Sequence, residues 1–158
     1  MSKQEKFIRL IQDNHRVINK VLYLYTDTSE ERKDLKQEIL SQAWSAYKRF
    51  NNESSFTTWL YRVALNISMT HLKKKKASTT NEFTAQEIQI NQDHSHELLE
   101  LMVKQLNDIE KSIVLLLADG YPRNEIISIL GMTDGNLRTK IHRIRTKLKN
   151  YGIEEFIR

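Results

Sequence analysis

Two stretches of this chain repeat apolar residues at intervals of three and four, and a polar stretch separates them. Such intervals place side chains on one face of an α-helix. The polar stretch, Ala77 to His94, lacks this spacing and holds few large apolar side chains, so we expect it to be a flexible linker. The pattern predicts two small helical domains, at 1–76 and 95–158.

Turn-forming residues are scarce. Four glycines and one proline in 158 residues leave little for the tight turns of a β-rich fold, so the predicted fold class is all-α. The longest apolar run, Ile113 to Ala118, has six residues, far fewer than the roughly 20 that span a bilayer. The charged N-terminus lacks the apolar core of a signal peptide. These features predict a cytoplasmic protein.

Three helices are expected in the first domain. Apolar spacing predicts them at about Lys3 to Tyr25, Lys33 to Phe50 and Phe56 to Lys75. The residues before the third helix prefer turns, and either Ser55 or Thr57 could cap it.

Positive charge is concentrated in two tracts. The chain carries a net charge of +5. No acidic residue occurs from Ser54 to Asn81. The stretch from Asp134 to Lys149 contains six basic residues and one acidic residue. One tract in each half favours a long anion-binding surface.

The second tract follows a helix-turn-helix pattern. A short helix is predicted from Asn124 to Leu130, Gly131 suits a left-handed helix end, Thr133 can cap the next helix, and Asp134 to Lys149 forms that longer helix. Its predicted buried residues are Leu137, Ile141, Ile144 and Leu148. The opposite, basic side could read DNA, or it could be merely a soluble helix face.

Three stretches together resemble bacterial RNA polymerase sigma factors of the sigma-70 family, in the small two-domain extracytoplasmic function (ECF) group. They are DLKQEILSQAWSAYKRF at 34–50, FTTWLYRVALNISMTHLKKKK at 56–76 and LGMTDGNLRTKIHRIRTKL at 130–148. They occur in the family's order and at its spacing, in both halves of the chain.

The resemblance implies that the first stretch docks on the polymerase clamp. It assigns this contact to Asp34, Gln37 and Glu38, whose acidic and amide groups suit a basic partner surface. Asp34 could equally be an acid placed at the positive end of the helix dipole.

The second stretch resembles the segment that melts and reads the −10 promoter element. Melting requires basic groups for the displaced strand, together with aromatic or amide groups for unstacked bases. By resemblance, the loop Asn51 to Ser55 encloses a flipped base, and Lys73 to Lys76 hold phosphate. Trp59 could instead be ordinary core. The full set of expected −10 residues is Phe50, Asn51, Asn52, Phe56, Trp59, Tyr61, Arg62, Asn66, Lys73 and Lys74.

The third stretch resembles the helix-turn-helix that reads the −35 element. The residues expected to face the major groove are Arg138, Thr139, His142 and Arg143. Those expected to meet phosphates are Asn136, Lys140 and Arg145. This chain departs from the family pattern at Asn107, at Pro122-Arg123-Asn124 and at Asn136, which leaves the promoter sequence open.

The resemblance implies a monomeric sigma factor whose partners are core RNA polymerase and promoter DNA. An anti-sigma factor stays open as a further partner. The alternative is a stand-alone regulator that uses only the C-terminal helix-turn-helix and binds a palindromic operator as a dimer. A regulatory relative that has lost initiation is a third possibility.

Enzyme chemistry is not expected. His94 and His96 lie in the predicted linker, where a metal would have no rigid frame, and no cofactor site is anticipated. The sequence contains no glycine-rich phosphate loop and no nucleophile–base arrangement.

Overall fold

The computed structural model describes residues 1–78 and 104–149. All regular secondary structure in these two ranges is helical, which confirms the all-α class. The chain divides into two compact units, Met1–Ser78 and Thr79–Arg158. The first two residues of the predicted linker belong to a helix, and the rest of it, including His94 and His96, lies outside the described residues.

The N-terminal segment forms two helices, α1 (Lys3–Asp13) and α2 (His15–Tyr25). The single helix predicted from Lys3 to Tyr25 is therefore wrong at Asn14. The Asn14 side chain donates to the carbonyl of Leu10 at 2.8 Å and accepts from Thr57 Oγ1 at 2.6 Å. Asparagine amides compete with the helix for backbone partners, and here the competition ends α1.

Helix α3 (Ser29–Tyr47) begins four residues before the predicted start at Lys33. Thr28 caps it, since its Oγ1 accepts from the backbone N–H of Glu31 at 3.1 Å. Glu30 and Glu31 occupy the first turn, where acidic side chains complement the helix dipole. Residues 29–32, which lie outside the predicted helices, therefore form the start of α3.

Helix α4 (Phe56–Ser78) packs against both α2 and α3. Ser55 Oγ accepts from the backbone N–H of Thr58 at 3.1 Å, which confirms Ser55 as the cap. Leu60 and Leu65 are fully buried on α4. Each buried leucine contributes roughly 2 kcal/mol, so this face holds the first unit together.

The described part of the second unit comprises α5 (Asp108–Ala118), α6 (Arg123–Leu130) and α7 (Asp134–Lys149). Asn107 caps α5 by accepting from the N–H of Glu110 at 2.9 Å, while Glu110 Oε1 accepts from the Asn107 N–H at 3.0 Å. The departure from the family pattern at Asn107 thus supplies a capping box.

The turn between α6 and α7 has the predicted chemistry. Gly131 adopts the left-handed conformation with φ of 65°, and its N–H donates to the carbonyl of Ile127 at 2.9 Å. Thr133 Oγ1 accepts from the Asn136 N–H at 3.2 Å. Both observations confirm the helix-turn-helix prediction.

Within the two described ranges, no helix combines the length and the apolar character that crossing a membrane would require.

Candidate nucleic-acid interface

Six aromatic rings meet where α3 ends and the loop to α4 begins. This aromatic cluster consists of Phe7, Trp44, Tyr47, Phe50, Phe56 and Trp59. The Tyr47 ring centroid lies 5.1 to 6.3 Å from the centroids of the other five rings. Tilted and edge-on rings at these distances attract one another beyond their burial, so the cluster fixes both ends of the loop.

Phe50 and Trp59 form the more open side of this cluster. Their centroids are 5.1 Å apart at an interplanar angle of 44°, and both residues are half-buried. Phe56 is 9% exposed and supports both rings from inside. Phe50 and Trp59 can therefore offer apolar surface to an unstacked base, whereas Phe56 serves mainly as their support.

The loop itself presents amide groups. Asn51 and Asn52 are exposed, and Asn52 has φ of 62°, a conformation that asparagine tolerates better than most side chains. Asn51 Nδ2 donates to Glu53 Oε1 at 2.9 Å. The predicted loop amides thus directly follow Phe50, whose half-buried ring packs on Trp59.

Tyr61 does not fit its expected contact with DNA. Its side chain is only 1% exposed and belongs to the core of the first unit. A base could reach the ring only if α4 were unpacked, so we assign Tyr61 to packing. Arg62 is half-buried, and Asn66 is exposed one turn further along the helix.

The lysines at the end of α4 differ in their exposure and contacts. Lys73 and Lys74 are exposed. Lys75 instead forms an ion pair with Glu31 in the first turn of α3. Lys73 and Lys74 are therefore the better candidates for phosphate, because Lys75 already holds α4 to α3.

The three residues expected to bind polymerase are all exposed on α3. Glu38 Oε1 accepts from Gln42 Nε2 at 2.7 Å, which orients its carboxylate along the helix. Leu35 and Ile39 are fully buried on the opposite side. Asp34, Gln37 and Glu38 thus form a polar face that folding leaves open.

Helix α7 buries the four residues predicted for its apolar face, at exposures of 3% or less. This burial confirms the predicted orientation of the helix. Of the seven expected −35 residues, Lys140 is half-buried. The exposed ones are Asn136, Arg138, Thr139, His142, Arg143 and Arg145.

Two of these exposed side chains have partners on their own helix. An Arg138 Nη2 donor lies 2.9 Å from Asp134 Oδ2, one turn earlier. Thr139 Oγ1 donates to the carbonyl of Gly135 at 3.0 Å. The Thr139 hydroxyl is thus committed as a donor, and Arg138 is held by a carboxylate.

Sequence reasoning missed the ring contacts of Trp44 and Tyr47, and it missed Asp134 as the partner of Arg138. Trp44, Tyr47 and Phe50 recur at intervals of three, which is a helical signal for one shared face. The separation of four residues between Asp134 and Arg138 is the ordinary spacing of a helical ion pair. Both features were readable from the sequence.

Among the residues that the structure describes, no group of three or more histidine and carboxylate side chains could hold a metal ion. The aromatic cluster with its loop, the end of α4 and the exposed side of α7 present aromatic, amide and basic groups, which suit binding of a polyanion.

Comparison with known proteins places this geometry in context. Residues 10–78 match the family described as Sigma-70 region 2. The probable RNA polymerase sigma factor RfaY of Xanthomonas campestris is 20% identical over 97% of the chain, which spans 42% of that relative. The RNA polymerase sigma-H factor of Pseudomonas aeruginosa is 23% identical over 86% of the chain, which spans 80% of that relative.

A solved structure has a similar fold. The sigma factor RpoE of Bartonella quintana, solved in complex with the anti-sigma factor NepR, matches with a TM-score of 0.67 and 17% identity. The match covers 91% of this chain and 97% of that one. At this identity the likeness establishes the fold.

Proposed function

Because the chain belongs to the sigma-70 family, in its ECF group, we propose that it binds core RNA polymerase and directs initiation at promoters whose −10 and −35 elements it reads. The observation that supports the proposal is the presence, in one chain, of two exposed surfaces whose residue types suit DNA. The first joins half-buried rings, loop amides and exposed lysines, and the second is the basic face of α7.

The first unit would bind polymerase and the −10 element. The exposed face of Asp34, Gln37 and Glu38 supplies acidic and amide groups for a basic surface on the polymerase clamp. The loop at Asn51 and Asn52 would take a flipped base of the non-template strand against the more open side of the aromatic cluster. Base–aromatic stacking contributes roughly 1 to 3 kcal/mol per base.

The second unit would bind the −35 element with α7 in the major groove. Arginine can donate two parallel hydrogen bonds to guanine, a pattern that distinguishes guanine from the other bases. Arg138 and Arg143 are both exposed, whereas the apolar residues of α7 are buried. Asn136, Lys140 and Arg145 would contact phosphates on either side.

No catalytic role is proposed for this chain, because polymerase would perform the synthesis. As a polymerase subunit it would act in the cytoplasm. The likeness to a sigma factor that was solved with an anti-sigma factor makes such an inhibitor a partner class to test.

Run-off transcription tests the proposal. Core polymerase with the full chain, given a library of genomic promoter fragments, should produce discrete transcripts whose start sites share two upstream elements. The control is core polymerase alone. If the chain produces no transcripts above this control, the proposal is wrong.

The alternative of a stand-alone regulator is not favoured, because region 2 matches 10–78, and that part of the chain would have no DNA task in such a regulator. The test is co-purification of polymerase with the full chain. A matched variant carries Asp34→Ala, Gln37→Ala and Glu38→Ala, all at exposed positions. A sigma factor should retain polymerase and the variant should lose it, whereas a stand-alone regulator would retain none.

A further inference from the structure

An exposed ion pair lies near the start of α7. The Arg138 Nη2 atom lies 2.9 Å from Asp134 Oδ2, and the two side chains are 70% and 52% exposed. Ion pairs this open to water stabilise a protein by little. We therefore expect this pair to affect the binding of a partner to this surface more than it affects stability.

Asp134 stands out on this helix by its charge. It is the one acidic residue from Asp134 to Lys149, against six basic residues. It pairs with the exposed Arg138, whereas the Lys147 ammonium lies 2.6 Å from Glu110 of α5. The carboxylate thus acts on a candidate DNA-reading arginine.

A carboxylate beside an arginine changes which DNA groups the arginine prefers. A lone guanidinium binds any phosphate through charge, and phosphates are present at every sequence. The guanidinium keeps its charge, but the pair as a whole has a net charge near zero, and the Asp134 carboxylate repels phosphate. Guanine O6 and N7 are uncharged acceptors, and the guanidinium N–H groups that do not face Asp134 can still donate to them.

We infer that Asp134 is a specificity-determining residue for −35 recognition and acts as a positioning residue for Arg138. It lowers the attraction of Arg138 for the phosphate backbone and holds its guanidinium ready for a base edge. This inference rests on the proposed function, because it assumes that α7 reads DNA.

The test measures how well the full chain distinguishes its preferred −35 duplex from a scrambled duplex. The preferred duplex is first selected with the wild-type chain from a randomised pool. Dissociation constants for both duplexes are then measured across a salt series for wild type and Asp134→Asn. We expect the variant to bind the scrambled duplex about three- to tenfold more tightly. The ratio of its two dissociation constants, which is its preference, should fall by a similar factor. The slope of the logarithm of its binding constant against the logarithm of salt concentration should become steeper by about 0.9, the value for one added phosphate contact.

Two further variants separate this mechanism from a simple loss of negative charge. Glu125→Gln removes an exposed acid from the first turn of α6 and should change both dissociation constants by the same factor. In an Arg138→Ala background, Asp134→Asn should leave the preference unchanged. Circular dichroism verifies that each variant is folded.

Two outcomes would overturn the inference while leaving the proposed function intact. The first is that Asp134→Asn distinguishes the two duplexes as well as wild type does. The second is that Asp134→Asn reduces this discrimination by the same factor in the Arg138→Ala background. If the wild-type chain selects no preferred duplex from the pool, both the inference and the proposed −35 function fail.

Discussion

The Lys147 ammonium lies 2.6 Å from Glu110 Oε1, which joins the last turns of α7 to the start of α5. The Glu110 side chain is 3% exposed, whereas that of Lys147 is 41% exposed. The same oxygen accepts the Asn107 N–H. One buried carboxylate thus completes the capping box of α5 and holds the end of α7 to it.

Replacement of Lys147 by methionine should destabilise the second unit. The change keeps the aliphatic stem but leaves the Glu110 carboxylate buried without its cation, at a cost of about 3 kcal/mol. Urea unfolding followed by circular dichroism should show part of the helical signal lost at a lower denaturant concentration. Both tryptophans, Trp44 and Trp59, belong to the first unit, so the tryptophan fluorescence transition should not move.

The control for this variant is Lys149→Met, which removes an exposed lysine from the same last turn. It should leave both transitions in place. An equal loss of stability in the two lysine variants would show that general charge, rather than the Glu110 contact, stabilises α7.

Features that depend on residues close together in the sequence could be predicted, whereas a feature that depends on distant residues could not. Periodicity alone identified the buried face of α7, and cap chemistry identified Gly131 and Thr133. The break at Asn14 was missed because it also depends on Thr57, which is 43 positions away in the sequence. No local pattern contains that contact.

Tyr61 illustrates a different error. It lies three and four residues before Ala64 and Leu65, so the helical period already placed it on the buried face of α4. Its aromatic type, within a stretch resembling the −10 reader, suggested a base contact instead. The structure favours the periodic reading for Tyr61, whereas it leaves Trp59 half-buried beside Phe50.

Asn66→Ala should weaken −10 binding without loss of stability. Asn66 is exposed on α4, so the free energy of unfolding should change by less than about 0.5 kcal/mol. Loss of one hydrogen bond to a base would cost about 1 kcal/mol, roughly fivefold in Kd. The measurement is binding of a fluorescent single-stranded −10 oligonucleotide by polymerase carrying the full chain.

Thr70→Ala is the matched control for Asn66→Ala, since Thr70 is exposed one turn later and its hydroxyl bonds to the Asn66 carbonyl. It should bind the oligonucleotide like wild type. If Asn66→Ala also binds like wild type, Asn66 has no part in the −10 site.

The double variant Lys73→Gln, Lys74→Gln should flatten the salt dependence of single-strand binding. Each phosphate contact contributes about 0.7 to the log–log slope for single strands, so loss of two contacts should lower it by about 1.4. Sequence preference should persist, because phosphate contacts carry no base information. Titration of the same oligonucleotide at several salt concentrations measures both effects.

The control for the lysine pair is Lys6→Gln, Arg9→Gln, which removes the same charge from exposed positions on α1. Its slope should match that of wild type. Equal flattening by both double variants would mean that the overall positive field, rather than contact at the end of α4, produces the salt dependence.

Gly135 provides a test in which stability and DNA affinity should change in opposite directions. It is the second residue of α7, and a Cβ built on it meets no atom within 4 Å, so packing within the described residues does not require glycine there. Gly135→Ala should raise the free energy of unfolding by about 0.5 to 1 kcal/mol, because glycine loses more backbone entropy in a helix. Gly135 shares a helix face with Arg138 and Thr139, three and four residues later.

On that face, glycine permits close approach of the helix backbone to a ligand, and a methyl group would interfere. We therefore expect Gly135→Ala to weaken binding of the preferred −35 duplex at least threefold while its melting temperature rises. Asn124→Ala, at the equivalent second and exposed position of α6, controls for stabilisation of the unit as a whole and should leave the affinity unchanged. If Gly135→Ala raised both the melting temperature and the affinity, the first turn of α7 would not approach DNA closely, because the added methyl would have met no obstacle.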